Sequence, residues 1–443
     1  MLKFGTDGIR GIVGNDLNRE VIFNTGYSLS KTIKNCRILL GKDNRTSRDY
    51  VSLLFCSGAI FGGAVVTDVG IVSTPTISYL LKNTNNFDYG VMISASHNPH
   101  EYNGIKIFDS TGKKITINQE NTLNELNSNF KEENQGNYGR YKLQPKLKEM
   151  YTTYLEKFGL NLSGDTILLD LSNGVYAYGN FAKNIYEFYK ANVKCVNNVY
   201  SDGKLVNVKA GILNEKLLLK YKNGNLCDYA IAFDGDGDRV LIIDKYNNIL
   251  NGDIILYLLA QYYNRITPSK KIKNVVGTKQ TNLGIEKSLN SLGINLIRSD
   301  VGDKNVIQSM IENNSLLGAE QSGHVIVKEY LNSGDGLLAS LLVMRVIKYY
   351  ENIGEYQNII SKIKIVPQTN LNYSYRSSNL LDKPQVKDYI TMQNSFYGND
   401  YRILVRKSGS ENKIRILVEG VNKQKTEDIA NEIYVFLNKY DTL

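Results

Sequence analysis

The sequence predicts an α/β protein of three related units followed by a smaller C-terminal α+β unit. Two observations carry this expectation. Short β-rich runs alternate with helix-length segments, the pattern of α/β domains built on a largely parallel sheet. A strand, a polar loop and a helix start also recur, in "RILLGKDNRTSRDY" from Arg37, "TILLDLSNGVYAYG" from Thr166 and "KNVVGTKQTNLGIE" from Lys273. At 443 residues the chain is too long for one core, so several domains are expected.

Each copy continues to a strand that ends in an unusual loop and is followed by another strand. In the first copy this is "DYGVMISASHNP" then "GIKIFDSTGKKI", and in the second "DYAIAFDGDGDR" then "VLIIDKYNNIL". The third runs "SLLGAEQSGHVIVKEY". Spacings differ between copies, which indicates diverged domains rather than a solenoid. Open α/β sheets bind ligands beyond their strand ends, so three such loops are expected to meet at one cleft. From about Lys364 the pattern changes to the smaller unit, which ends in the amphipathic helix "KTEDIANEIYVFLNKY". The expected units are 1–150, 151–252, 253–363 and 364–443.

Hydrophobic residues make up 42% and charged residues 22%, an ordinary globular balance. The N-terminal "MLKFGTDGIRG" has no apolar h-region, which argues against a signal peptide. The longest apolar stretch, around "GLLASLLVMRVI", falls short of the roughly 20 residues that span a bilayer. Cys36, Cys56, Cys195 and Cys227 are widely spaced with no CxxC pair, which fits buried thiols in a reducing cytosol. A soluble, cytoplasmic protein with no membrane partner is expected. The net charge of +9 is scattered along the chain, which argues against nucleic acid and suits a phosphorylated small molecule.

The sharpest chemical signal is "DGDGDR", which places Asp234, Asp236 and Asp238 at alternate positions. Three carboxylates this close repel one another unless a cation or cationic side chains neutralise them. The glycines between them let the backbone curl so that all three face one point. Oxygen ligands suit Mg²⁺ or Ca²⁺ rather than zinc. An EF-hand loop is excluded, because its sixth position is Arg239 and its twelfth is Lys245. Magnesium commonly bridges carboxylates to phosphate, and Arg239 adds a guanidinium fork, so phosphoryl transfer is the leading chemistry.

The stretch "ISASHNPHEYNGIKIF" (residues 93–108) then offers Ser94 and Ser96 as carriers of a phosphoryl group. Strand alternation puts both on the same face and does not choose between them. His97 and Lys106 are candidates for handling the substrate's hydroxyl proton, while Asn98 and Pro99 suit a turn. "RKSGSENKIR" (Arg406 to Arg415) combines guanidinium forks, hydroxyls and a glycine, which together can wrap a phosphate. "GDGLLA" (Gly334 to Ala339) fits a loose GxGxxA pattern without the βαβ context and reads as a helix start.

In order along the chain, "FGTDGIRG", "ISASHNP…NGIKIF", "FDGDGDR", "VVGT…NLG", "VGD", "EQSGHVI", "GDGL" and the "RxSG" loop resemble the α-D-phosphohexomutase family nearly end to end. The resemblance implies three related α/β domains with mixed sheets plus a smaller C-terminal α+β domain, arranged around a central cleft. It implies that Ser96 is the phosphorylated residue, and that its phosphate and Asp234, Asp236 and Asp238 hold one Mg²⁺. By the same resemblance Lys106, His97, Arg10 and Arg239 surround the transferring phosphoryl group, and Glu320, Ser322 and His324 recognise the sugar. Arg406, Ser408, Gly409, Ser410 and Arg415 match the loop that holds the other phosphate. Lys407, Ser410 and Asn412 stand where the family usually has Pro, Thr and Pro.

The implied reaction moves a phosphoryl group between phospho-Ser96 and a hexosamine phosphate, with a hexosamine 1,6-bisphosphate as intermediate and activator. The Gln321 form of the sugar loop, with "FGTDGIRG", resembles the glucosamine branch, which supplies UDP-N-acetylglucosamine for cell-wall synthesis. The alternatives are a glucose or mannose phosphate mutase on the same fold, a non-catalytic sugar-phosphate binder and a magnesium phosphatase. The sequence leaves the oligomeric state open, with a homodimer among the options.

Overall fold

Four sheets organise the residues described by the computed structural model, namely 4–5, 7–129, 136–267, 271–408 and 412–441. The first sheet contains β1 (Ile9–Ile12), β2 (Arg37–Lys42), β3 (Val65–Ile71), β4 (Tyr89–Ile93), β5 (Tyr102–Asp109) and β6 (Arg140–Leu143), in the order β1-β5-β4-β2-β3-β6. The second contains β7 (Thr166–Asp170), β8 (Asn192–Val196), β9 (Tyr229–Phe233), β10 (Val240–Ile243) and β11 (Ile249–Leu250), in the order β11-β10-β9-β7-β8. The third contains β12 (Asn274–Thr278), β13 (Asn295–Ser299), β14 (Leu317–Ala319) and β15 (Val325–Val327), in the order β13-β12-β14-β15.

The repeat is therefore topological as well as local. The orders β5-β4-β2-β3, β10-β9-β7-β8 and β15-β14-β12-β13 are the same arrangement met three times. In each, the first strand lies parallel to the next one and to the first strand of a hairpin, and that hairpin is antiparallel. The sheets are thus mixed rather than largely parallel. The loops after β4, β9 and β14 return directly without a crossover helix, and a direct return forces antiparallel pairing.

The central strands are covered on both faces, as their unbroken apolar runs require. Val91 and Ile93 pack with Phe55 of the helix Arg48–Phe61, while Met92 packs with Ile77 and Leu80 of the helix Thr74–Thr84 on the opposite face. The second and third sheets share one core, in which Leu337 and Leu341 of the helix Gly336–Asn352 join Phe233, Val275 and Leu317. That helix starts where "GDGLLA" indicates, with Asp335 Oδ1 accepting from the backbone N–H of Leu338 at 2.9 Å.

The fourth sheet is antiparallel: β16 (Gln368–Ser374), β17 (Tyr401–Lys407) and β18 (Lys413–Gly420), in the order β16-β18-β17. The terminal helix Lys423–Asp441 covers it through Ile429, Ile433 and Leu437 against Ile414, Ile416 and Val418. This unit docks on the third through Arg402, which pairs with buried Glu419 and donates to the carbonyls of Lys279 at 2.7 Å and Thr281 at 3.1 Å. Among the described residues, no helix is long and apolar enough to cross a membrane.

Candidate active site

Strand β4 ends at Ile93, so Ser94 and Ser96 both lie beyond it and strand alternation does not apply to them. Ser96 adopts a left-handed backbone, φ 52°. The turn separates the two hydroxyls. Ser94 Oγ accepts the backbone N–H of Ser96 at 2.9 Å, whereas Ser96 Oγ donates to Asp234 Oδ2 at 2.7 Å and lies 3.4 Å from His97 Nδ1.

Asp234, Asp236 and Asp238 follow β9 and are buried, with one carboxylate oxygen of each lying within 4.8 Å of the others. Gly237 (φ 77°) makes this curl feasible, since a Cβ there would meet the ring of Tyr176 at 2.5 Å. Lys106 on β5 has no exposed surface and donates to Asp236 Oδ2 at 2.7 Å and Asp238 Oδ2 at 3.1 Å. Thr74 Oγ1 adds a hydrogen bond to Asp236 Oδ2 at 2.5 Å. The backbone N–H of Arg239 reaches Asp234 Oδ1 at 3.2 Å.

Burial pushes the Asp234 carboxyl well above the usual range, and the charges of Asp238 and Asp236 add to it. Burial acts on Asp238 in the same direction, but Lys106, His324 and Arg239 outweigh it and hold that group well below the usual range. The triad thus carries more negative charge than Lys106 balances. Asp236 Oδ1 and Asp238 Oδ1 are buried without a hydrogen-bond partner. These orphaned oxygens, beside the Asp234–Ser96 pair, form an all-oxygen donor set that fits Mg²⁺.

Cations, Glu320 and His324 lie around this centre. His97 is half-buried and its pKa is lowered to about 3, first by desolvation and then by Arg239 and Arg10, so the ring is neutral at physiological pH. Arg10 pairs with Asp7, and Lys114 links Asp7 to Asp303. A β-bridge joins Arg239 to His324, whose Nε2 lies 3.7 Å from Asp303 Oδ2. Glu320 Oε1 accepts the backbone N–H of Gly302 at 3.0 Å. Ser322 is exposed beside a crevice of about 980 Å³, which Gln280, Gln321 and the linker residues Val366 and Pro367 also line.

Arg406 and Arg415 stand apart from this group, on the fourth sheet, directly opposite each other in the β17–β18 ladder. With Asn370, Asn372 and Gln280 they line a cavity of about 250 Å³. Burial lowers the pKa of Arg406, and the facing Arg415 lowers it further. Gln280 borders both this cavity and the crevice beside Ser322. The backbone N–H of Ser408 donates to the Lys413 carbonyl at 2.7 Å, and Lys407 Nζ lies 3.4 Å from Asp382. Gly409 and Ser410 lie outside the described residues.

Residue reasoning missed several members of the centre. Asp7 and Asp303 sit inside the quoted motifs "FGTDGIRG" and "VGD", so a signal existed. Thr74 lies in no quoted stretch, and Lys114 lies in the quoted "GIKIFDSTGKKI" with no chemical signal of its own; both reach the site only through the fold.

Comparison with known proteins agrees with this geometry. Family models described as phosphoglucomutase/phosphomannomutase match residues 1–134 (alpha/beta/alpha domain I), 251–362 (alpha/beta/alpha domain III) and 378–435 (C-terminal domain). The phosphoglucosamine mutase of Thermotoga neapolitana is 37% identical over 437 residues, covering 97% of this chain and 97% of the relative. That of Prochlorococcus marinus is 36% identical, covering 97% of this chain and 96% of the relative. Among solved structures, a phosphoglucomutase/phosphomannomutase family protein from Burkholderia thailandensis superposes with a TM-score of 0.81 at 19% identity, covering 99% of this chain and 98% of that one. The N-acetylphosphoglucosamine mutase of Aspergillus fumigatus, solved with GlcNAc-6P and magnesium, gives 0.70 at 16% identity, covering 100% of this chain and 96% of that one.

Proposed function

The chain belongs to the phosphoglucomutase/phosphomannomutase family, the α-D-phosphohexomutases, and on that premise we propose that it interconverts glucosamine 6-phosphate and glucosamine 1-phosphate through a phosphoserine enzyme. One observation carries the mechanism. The hydroxyl of Ser96 points into a buried carboxylate triad that also holds Lys106.

In the proposed cycle Ser96 carries a phosphoryl group. The free hydroxyl oxygen of the bound sugar phosphate attacks the phosphorus, and the bond from phosphorus to Ser96 Oγ breaks. The proton lost by the sugar hydroxyl is taken up so that Ser96 leaves as a neutral hydroxyl. His97 Nδ1 lies 3.4 Å from Ser96 Oγ and Lys106 Nζ is hydrogen-bonded into the adjoining triad, and these two groups would move the proton. Bound to Asp234, Asp236, Asp238 and the serine phosphate, Mg²⁺ would neutralise charge on the phosphoryl oxygens. Arg10 and Arg239 supply cations beside it. The product is glucosamine 1,6-bisphosphate, which turns within the cleft and returns its other phosphoryl group to Ser96. The same bisphosphate would prime an unphosphorylated enzyme.

Glu320, Ser322 and His324 would contact the sugar. Arg406 and Arg415 would hold the phosphate that is not being transferred, in the cavity shared with Gln280, and the resemblance gives Ser408, Gly409 and Ser410 the same role. The glucosamine assignment rests on the relatives at 35–37% identity over nearly the full chain, which are phosphoglucosamine mutases. The product would feed UDP-N-acetylglucosamine synthesis in the cytosol.

A coupled assay with glucosamine, glucose and mannose 1-phosphates, each with its bisphosphate, tests the reading. The expected result is the highest kcat/KM for glucosamine 1-phosphate. Equal or better turnover of mannose 1-phosphate overturns the sugar assignment, and net phosphate release in place of isomerisation overturns the mutase reading.

A further inference from the structure

Arg45 has no exposed surface, and a guanidinium is among the costliest groups to bury without partners. All five of its N–H donors are used. Nε donates to Asp43 Oδ2 at 3.0 Å. One terminal nitrogen donates to the carbonyls of Pro99 at 2.5 Å and Tyr102 at 3.0 Å. The other donates to the carbonyls of Ser96 and Asn98, both at 2.7 Å. One side chain therefore gathers four carbonyls from the segment that carries Ser96. Asp43 completes the frame, since its backbone N–H is bonded to the Ile93 carbonyl at the end of β4 at 3.0 Å.

A second clamp comes from another unit. Asn207 Nδ2 donates to the Ser96 carbonyl at 2.9 Å and to the Asn98 carbonyl at 3.2 Å. The same two carbonyls are thus held from both sides. A left-handed backbone at a residue with a side chain costs roughly 1–3 kcal/mol and persists only where its surroundings over-determine it. Here that residue is Ser96, φ 52°.

We infer that Arg45 and Asn207 are positioning residues for phosphoryl transfer: they hold the backbone of Ser96 in its left-handed turn and so aim its hydroxyl at Asp234. The inference rests on the reading of Ser96 as the phosphoryl carrier. Both side chains act on carbonyls of the loop, and both are buried. Their loss should therefore slow the chemical step and leave sugar-phosphate binding nearly intact. Lysine cannot replace Arg45, because one ammonium with three donors cannot span four carbonyls and a carboxylate.

The test compares Arg45→Lys and Asn207→Ala with the parent enzyme, using glucosamine 1-phosphate and its 1,6-bisphosphate. It measures kcat and KM per folded molecule, melting temperature, and phosphate on the Ile93–His100 peptide by mass. Misplacing reacting atoms by an ångström costs about a hundredfold, so kcat should fall about that far in Arg45→Lys and about tenfold in Asn207→Ala, with KM within about threefold. Should Arg45→Lys fail to fold, Asn207→Ala decides. A kcat for folded Asn207→Ala within about twofold of the parent, or a raised KM at unchanged kcat, overturns the inference by the same reasoning. A parent enzyme that turns over without phosphate on that peptide overturns the Ser96 reading itself, an outcome visible before any variant is made.

Discussion

Ser96 Oγ lies 2.7 Å from Asp234 Oδ2, although 138 positions separate the two residues in the chain. The contact joins the loop after β4 to the loop after β9, equivalent places in two copies of one topology. Ser96, the proposed phosphoryl carrier, and the carboxylate triad thus meet at equivalent places of a repeated topology.

Replacement of Ser96 by alanine should abolish mutase turnover and remove phosphate from the Ile93–His100 peptide. Ser94→Ala removes the acceptor of the Ser96 N–H. The Ser94 hydroxyl also hydrogen-bonds the buried Asp43 carboxylate, so two bonds are lost, one of them to a carboxylate, and turnover should fall but far less than in Ser96→Ala. Phosphate mapped to Ser94, or full activity in Ser96→Ala, would reverse the assignment.

Chelation should stop turnover and added Mg²⁺ should restore it. Asp236→Ala removes an orphaned oxygen and a partner of Lys106 while leaving the apolar packing of β9 in place. Calorimetric titration with Mg²⁺ should show binding in the parent and none in this variant, with circular dichroism unchanged. Activity indifferent to chelator would refute the metal reading of the triad.

Glu320→Gln keeps the acceptor for the Gly302 N–H and turns the other carboxylate oxygen into a donor. If that oxygen reads the sugar, turnover of the preferred substrate should fall and its margin over the others should narrow. An unpaired buried polar group costs about 1–3 kcal/mol, or roughly fivefold to a hundred-and-fiftyfold in kcat/KM. An unchanged margin would place specificity elsewhere.

Arg402→Ala strips buried Glu419 of its ion pair and cuts both bonds to the third unit. Removing one partner of a buried pair costs roughly 3 kcal/mol or more, visible as a lower melting temperature. The fourth unit carries Arg406 and Arg415, so KM for the sugar phosphate should rise more than kcat falls. A variant with parental KM would show that this docking does not set the anion site.

Asp335 gives a pH signature of stability. Burial raises its carboxyl pKa to about 6 from the ordinary 3.8. The folded state therefore binds more protons than the unfolded state between those values, and this group's contribution to stability falls as pH rises from about 4 to about 6, by up to roughly 3 kcal/mol. Asp335→Asn keeps an oxygen to cap the helix and cannot ionise. Its melting temperature relative to the parent should rise across that interval. A constant difference would refute the assignment.

What the residues in order decided was whatever depends on local spacing. The three copies were legible because each strand, polar loop and helix start is a contiguous pattern, and the aspartate triad because its members are two positions apart. The helix start at Gly336 was legible for the same reason. Family resemblance singled out Ser96 where the residues themselves left Ser94 open. The tertiary structure decided the rest. Ser94 and Ser96 differ by a turn beyond the end of β4 that alternation cannot describe. Lys106 meets Asp236 across 130 positions, Thr74 meets it across 162, and Asn207 holds the Ser96 carbonyl across 111. Such contacts depend on how separate sheets pack, because a buried charge takes whatever partner the packing brings within reach, and no local pattern encodes that partner.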